Sequence, residues 1–382
     1  MLTHPSQKTA LDQFNALPWP EKTSEEWRRS DLAGLIAADN GDGAFSVRWD
    51  AVPPEMIHAG VILTDLTTAL KQFPGLVAEY LFKTGTPRGL TKFALQNQAL
   101  TRQGLFCYIP DGVHVDLPMH SWIEPAGNGS PLFPRVLVVV GEGASATLID
   151  ERRSPADSTA MLCNEFTEVL LKADAKFSYI RLQRWNESAR ELFGHRAVLK
   201  RNAHYSHIQI GLGGEMSKAN LETILSETGA KADLLGILFG SGKQHFDFNT
   251  LQAHEAPHTT SDLLYKSVLK DTAKSIYTGL IRIEKEAKQT DAYQDNRSLL
   301  LSQGAKADSI PRLEILTDDV QCKHGVAVGP VDEDQVFYLM SRGLPRAEAE
   351  RLIVSGFFNS VLSRVPVEAL REELAASVSQ RI

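Results

Sequence analysis

Apolar positions fall at helical spacing near both ends of the chain and at strand spacing between them. Ala10, Phe14 and Leu17 recur at i, i+4 and i+7 before Pro18 and Pro20 end the run. Thr23 and Glu26 have the spacing of a capping box, which predicts a second helix carrying Trp27, Leu32, Leu35 and Ile36 on one broad face. Leu66 to Phe82, broken at Pro74, and Thr91 to Leu100 read as further helix, so residues 1–103 are expected to form an N-terminal helical region. From residue 104 the texture changes to short runs of Val, Ile, Leu and Thr punctuated by Gly, Asn and Asp, which predicts a β core over 104–340. Helical spacing returns with Ala349, Leu352, Ile353, Phe357 and Val361, then with Leu370, Leu374 and Val378 after Pro366. Residues 341–382 therefore read as a C-terminal helical region whose apolar stripes must cover either the end of the β core, which is the expectation, or a partner.

Within the β segment a turn-prone residue, an alanine and a short alternating strand recur at Gly143-Ala144, Asp174-Ala175, Asn202-Ala203, Gly229-Ala230 and Gly304-Ala305, with Thr272-Ala273 as a looser member. The alanines are separated by 31, 28, 27, 43 and 32 residues. Units of this size bury an apolar face only against neighbours, so the spacing favours a β-solenoid with one long insertion; a sandwich or a barrel is the alternative.

Composition narrows the classes. With 40 Lys and Arg against 47 Asp and Glu, the net charge of -7 offers no whole-chain positive excess for nucleic acid. The longest wholly aliphatic stretch, Val136 to Val140, is far short of the ~20 residues that cross a bilayer. Asp12, Glu21, Glu25 and Glu26 in a segment without an apolar core argue against a secretory or transit signal. Three scattered cysteines, Cys107, Cys163 and Cys322, make no disulfide framework and fit a reducing, cytoplasmic setting; they also cannot supply a four-thiolate site from one chain.

Several motifs tempt and fail on context. His254-Glu255-Ala256-Pro257-His258 matches a zinc-protease string, but Pro257 would break the helix that chemistry needs. Gly240-Ser241-Gly242-Lys243 resembles the end of a phosphate-binding loop, yet Ile237 and Gln244 stand where glycine and Ser or Thr are required. Gly211 to Gly214 lacks dinucleotide spacing and reads as a turn. His204 and His207 have opposite strand parity, which favours separate, singly bonded roles, and His245 is expected to be exposed.

One stretch carries chemistry. Val320, Cys322, His324, Val326 and Val328 share one parity, so on a strand a thiol and an imidazole project from the same apolar face. A buried structural cysteine beside a carbonyl-bonded histidine is one reading. The other is a two-ligand metal half-site suited to zinc or iron, which a second chain would have to complete. A cysteine–histidine nucleophile pair at i, i+2 on one strand has poor geometry for attack.

The ordered series His258-Thr259-Thr260-Ser261-Asp262, Tyr277-Thr278-Gly279-Leu280-Ile281, Gln289-Thr290-Asp291-Ala292-Tyr293-Gln294 and Asn296-Arg297-Ser298-Leu299-Leu300-Leu301-Ser302 resembles the SufB/SufD family of iron–sulfur cluster assembly scaffolds. It continues through Pro311-Arg312-Leu313-Glu314-Ile315, Asp318-Asp319-Val320-Gln321-Cys322-Lys323-His324-Gly325 and Phe337-Tyr338-Leu339-Met340-Ser341-Arg342-Gly343. Glu25-Glu26-Trp27-Arg28-Arg29-Ser30-Asp31-Leu32 resembles the family's N-terminal motif. Cys322-Lys323-His324-Gly325 is similar to the SufD branch, although Lys323 replaces a small polar residue and Val326-Ala327 the usual Ala-Thr.

The resemblance implies a right-handed parallel β-helix flanked by helical regions. It implies a non-catalytic scaffold subunit of the SUF complex, pairing with SufB through the β-helix and with the ATPase SufC through the C-terminal helices, and service in iron acquisition is part of what it implies. His324, with Cys322 beside it, matches the histidine that faces SufB, so iron or a cluster would be shared there. It also allows reduced flavin as a companion of the complex, with no residue to name for it, and a homodimer in isolation. The alternatives are a metal-dependent hydrolase or lyase on a β-solenoid, and an adhesin-like solenoid, which would need export.

Overall fold

The computed structural model describes residues 5–37, 43–126, 129–154 and 160–382. The strands β1 (Phe45–Trp49) and β2 (Ile62–Asp65) precede eight coils, each made of two strands. The first four coils are β3 (Gly104–Ile109) with β4 (Met119–Pro125), β5 (Arg135–Val140) with β6 (Ser145–Arg153), β7 (Leu162–Leu171) with β8 (Lys176–Arg184), and β9 (Arg190–Leu199) with β10 (His204–Gly211). The last four are β11 (Met216–Leu225) with β12 (Lys231–Gly240), β13 (His245–His254) with β14 (Thr260–Leu269), β15 (Lys274–Ile283) with β16 (Thr290–Leu300), and β17 (Lys306–Ile315) with β18 (Val320–Pro330).

Even-numbered strands from β4 onward stack in parallel as a first sheet and odd-numbered strands from β3 onward as a second, so the expected β-solenoid is what forms. At its N-terminal end β1 pairs antiparallel with β4, and β2 with β3. At its C-terminal end β17 and β18 are the last strands of their sheets among the described residues.

The recurring alanines mark corners of this stack. Ala144, Ala175, Ala203 and Ala230 line one corner, fully buried, each following a residue in the left-handed region: Gly143, Asp174, Asn202 and Gly229. Such turns favour Gly, Asn and Asp because those residues tolerate positive φ. Ala273 and Ala305 belong to the opposite corner, so the interval of 43 residues is not an insertion but a change of corner. The first corner continues with Thr259 and Thr290 after His258 and Gln289, both at positive φ; each threonine hydroxyl donates to a turn carbonyl, of Ala256 and Ala287 respectively.

Through the middle coils both sheets are buried on both faces, as parallel sheets are, whereas β17 and β18 are largely exposed. Inside lies a mixed core: Val136, Val138, Phe177, Phe193 and Tyr205 beside a fully buried ion network in which Arg152 bonds Asp150 and Glu165 at 2.6 Å, and Arg181 bonds Glu165 and Glu191. Burial alone would raise the Glu165 carboxyl, but Arg152 and Arg181 outweigh it and hold it at about 2.

Outside, the N-terminal region covers the second sheet. The helices α1 (Pro5–Ala16), α2 (Pro54–His58), α3 (Leu66–Gln72), α4 (Pro74–Tyr80) and α5 (Thr91–Leu100) share this region with β1 and β2. The helix predicted from Thr23 does not form: the segment makes turns and a short 3₁₀ stretch at Ala33–Leu35, and Thr23 Oγ1 donates to Glu21 instead of capping. Trp27 decides the matter, because its ring stacks on Phe93 at 5.1 Å and its Nε1 donates to the Gly89 carbonyl.

After the solenoid come α6 (Glu333–Ser341), capped by Asp332, α7 (Arg346–Leu362) and α8 (Glu368–Ser379). α6 thus lies inside the span read as β core. Val354, Phe358, Val361, Leu370, Leu374 and Val378 pack on Ile180, Ile208, Ile210, Leu235 and Ile237. The C-terminal stripes therefore cover the outer face of the first sheet, not the solenoid end. The reason is that β8, β10 and β12 carry apolar side chains on their outer as well as their inner positions.

Candidate functional site

The last coil bears the candidate residues. Val320, Cys322, His324, Val326 and Val328 pair in register with Thr290, Ala292, Gln294, Asn296 and Ser298, which are buried lumen positions of β16. Side chains one above another in a parallel ladder share a face, so Cys322 and His324 point into the solenoid lumen. Among the described residues no coil is stacked beyond them, and they open to solvent through the end of the stack: Cys322 is half-buried and His324 exposed. Neither a sealed core nor an outer wall describes the place.

Cys322 rests with Val320 on Ile281, Ile283, Ala287 and Ala292. Burial pushes its thiol up, and Asp291 adds to the shift, so the sulfur is held protonated at neutral pH until a cation arrives to stabilise the thiolate. Around it Leu313, Ile315, Leu316, Val326 and Val328 are exposed, an apolar rim of the kind that marks an interaction surface. The other two thiols are sealed inside. Burial lifts Cys107 to about 12 and Cys163 well above its ordinary range.

Two candidate ligands stand here and, among the described residues, no group of three or more His, Cys, Asp or Glu side chains is gathered for a metal. A soft thiolate with one imidazole can hold iron or zinc only as part of a larger shell. The geometry is that of one thiol and one imidazole side by side on the lumen face of the last coil.

The remaining sequence candidates disperse. His254 ends β13 in the lumen, its two ring nitrogens within 2.8 Å of Thr259 and Ser261 hydroxyls, while His258 occupies the following turn, so the zinc-protease string spans a strand and a corner. Gly242 and Gly211 to Gly214 lie in corners. His204 faces outward and meets Asp233 at 2.7 Å. His207 faces inward and stacks on His195 with ring centres 4.4 Å apart; burial pushes it down to about 3. His245 is half-buried, not exposed, since the N-terminal segment carrying Asp31 runs beside it.

Two features escaped the sequence reading. Phe337, Tyr338 and Met340 on α6 and Leu352 on the neighbouring α7 are exposed, Phe337 being 72% exposed. Only Leu352 was read at helical spacing; Phe337, Tyr338 and Met340 fell in the span read as β core, and that Val336 would be the side of α6 to pack inward was not visible. The second is Gln294, buried beneath His324 with an unpaired carboxamide.

Family models match most of the chain: the description "SUF system FeS cluster assembly, SufBD core domain" covers residues 123–357, and "SufBD protein N-terminal region" covers 43–120. The iron–sulfur cluster assembly protein SufD of Bacillus subtilis (strain 168) is 30% identical over 362 residues, spanning 92% of this chain and 82% of its own. Iron–sulfur cluster assembly SufBD family proteins of Staphylococcus epidermidis and Staphylococcus saprophyticus are 29% and 28% identical over 357 residues, covering 92% of this chain and 77% of theirs.

Proposed function

The chain belongs to the SufBD family of SUF-system iron–sulfur cluster assembly proteins, and from that premise we propose that it acts as a SufD-like, non-catalytic scaffold subunit with a share in iron acquisition. One observation carries the proposal: a solenoid covered at its N-terminal end and left open at the other, where Cys322 and His324 face its own lumen as half of a coordination set. A SufB-like paralogue docks on the open end and supplies the missing ligands, with iron or a nascent cluster as the cargo held across the seam.

A SufC-like ATPase docks on the exposed group of α6 and α7. That site communicates with the seam through α7, which is clamped to the first sheet: Arg364 bonds Asp233 of β12 and Asp262 of β14, and Lys266 Nζ donates to the Phe357 carbonyl. β14 pairs with β16 and β16 with β18, so a tilt of α7 reaches the strand bearing Cys322 through two hydrogen-bonded ladders. We place the subunit in the cytoplasm, where its three unpaired thiols stay reduced.

The test is His324→Ala. The variant should assemble with the paralogue and ATPase as the wild type does and yield little cluster, measured by visible absorbance after anaerobic purification. Undiminished cluster content would remove the site from the mechanism.

A further inference from the structure

One coil beneath His324, in the same column of the first sheet, the Gln294 carboxamide is fully buried, and among the described residues neither its Nε2 nor its Oε1 has a hydrogen-bond partner. Burying a donor and an acceptor unpaired is costly, and native structures rarely leave them so without cause. Its surroundings give it room but no partner. The next residue down the column is Leu263, and facing it is Gly279, where an added Cβ would overlap both carboxamide atoms. The glycine keeps a place for this side chain in the lumen. Above it in the column the neighbour is His324, exposed and without a hydrogen bond among the described residues. Ladder partners on one face have Cβ atoms about 5 Å apart, which lets a Gln side chain reach an imidazole.

We propose that Gln294 is a positioning residue for His324: when a docked partner turns the imidazole inward, Gln294 Oε1 accepts its ring N–H. That bond fixes one tautomer and leaves the other nitrogen, with its lone pair, aimed at the iron shared across the seam. The inference rests on the proposed role of the open end.

The test uses the chain co-purified with its longer paralogue, its histidines labelled with ¹⁵N, at a pH where the imidazole is neutral. The wild-type complex should hold His324 in a single tautomer. Gln294→Met, equal in length but without donor or acceptor, should give mixed tautomers and a cluster yield about tenfold lower. Its Tm should stay level or rise, because an unpaired buried amide has gone. Gln294→Leu should behave alike, and Gln294→Glu, whose carboxylate accepts the same bond, should keep the single tautomer. A single His324 tautomer in both apolar variants overturns the inference, as does a Tm that falls in step with cluster yield. If His324→Ala loses clusters while the apolar variants keep one tautomer, only the role of Gln294 fails. If His324→Ala keeps its clusters, the reading of the open end fails with it.

Discussion

At the scale of single residues, accessibility and ionisation divide three cysteines into one reagent and two spectators. Cys107 and Cys163 are walled into the core, whereas Cys322 opens at the solenoid end. Iodoacetamide should therefore label one thiol per folded chain, at Cys322, by mass spectrometry of the peptide. Its raised pKa fixes the sign of the pH dependence: labelling is slower at neutral pH than for a free thiol and accelerates as pH climbs past the ordinary thiol range, where the thiolate forms. Docking of the paralogue should protect it. The shared face of Cys322 and His324 was legible in the sequence because strand parity is local. That this face is the lumen, and that the lumen is open there, was not, because both depend on pairing with β16 and on the lack of a following coil. The ion network of Asp150, Arg152, Glu165, Arg181 and Glu191 was equally hidden; read along one strand, a charged run such as Asp150-Glu151-Arg152-Arg153 looks like a wet surface, and its partners lie on other strands.

At the scale of elements, the corners hold the coils in phase. Ala203 is fully buried in a turn whose Asn202 already sits at positive φ, and its carbonyl accepts from Lys231 of the next coil. Ala203→Leu forces several extra carbons into a packed corner and should destabilise by about 1–3 kcal/mol, read as a lower urea midpoint with unchanged slope. The repeat that revealed these corners was readable because small residues recur wherever coils stack closely. Its phase was misread, since alanines from opposite corners look alike in one dimension and threonines at 259 and 290 disguise two members of the first series. The coverage of the first sheet by α7 and α8 had a signal of its own. Leu234 to Phe239 is an apolar run with no alternation beyond Gly236, as expected of a strand buried on both faces.

At the scale of the whole molecule, the chain presents two surfaces with different partners in view, and a substitution at one should leave the other alone. Phe337→Asp places a charge in the exposed group on α6 without touching the packed side of that helix. It should abolish co-purification with the ATPase, a loss of at least about 2 kcal/mol if Phe337 is the anchor its exposure suggests. Melting temperature and pairing with the paralogue should be unchanged; joint loss of both partners would mean that the two surfaces are one. The antiparallel covering of the first coil by β1 and β2 has a further consequence. A rod offering the same parallel strand edges at both tips would polymerise head to tail into filaments, whereas here the first tip ends in antiparallel strands, so the proposed docking at the open tip should give closed pairs and not filaments, a difference that sizing by light scattering reads directly.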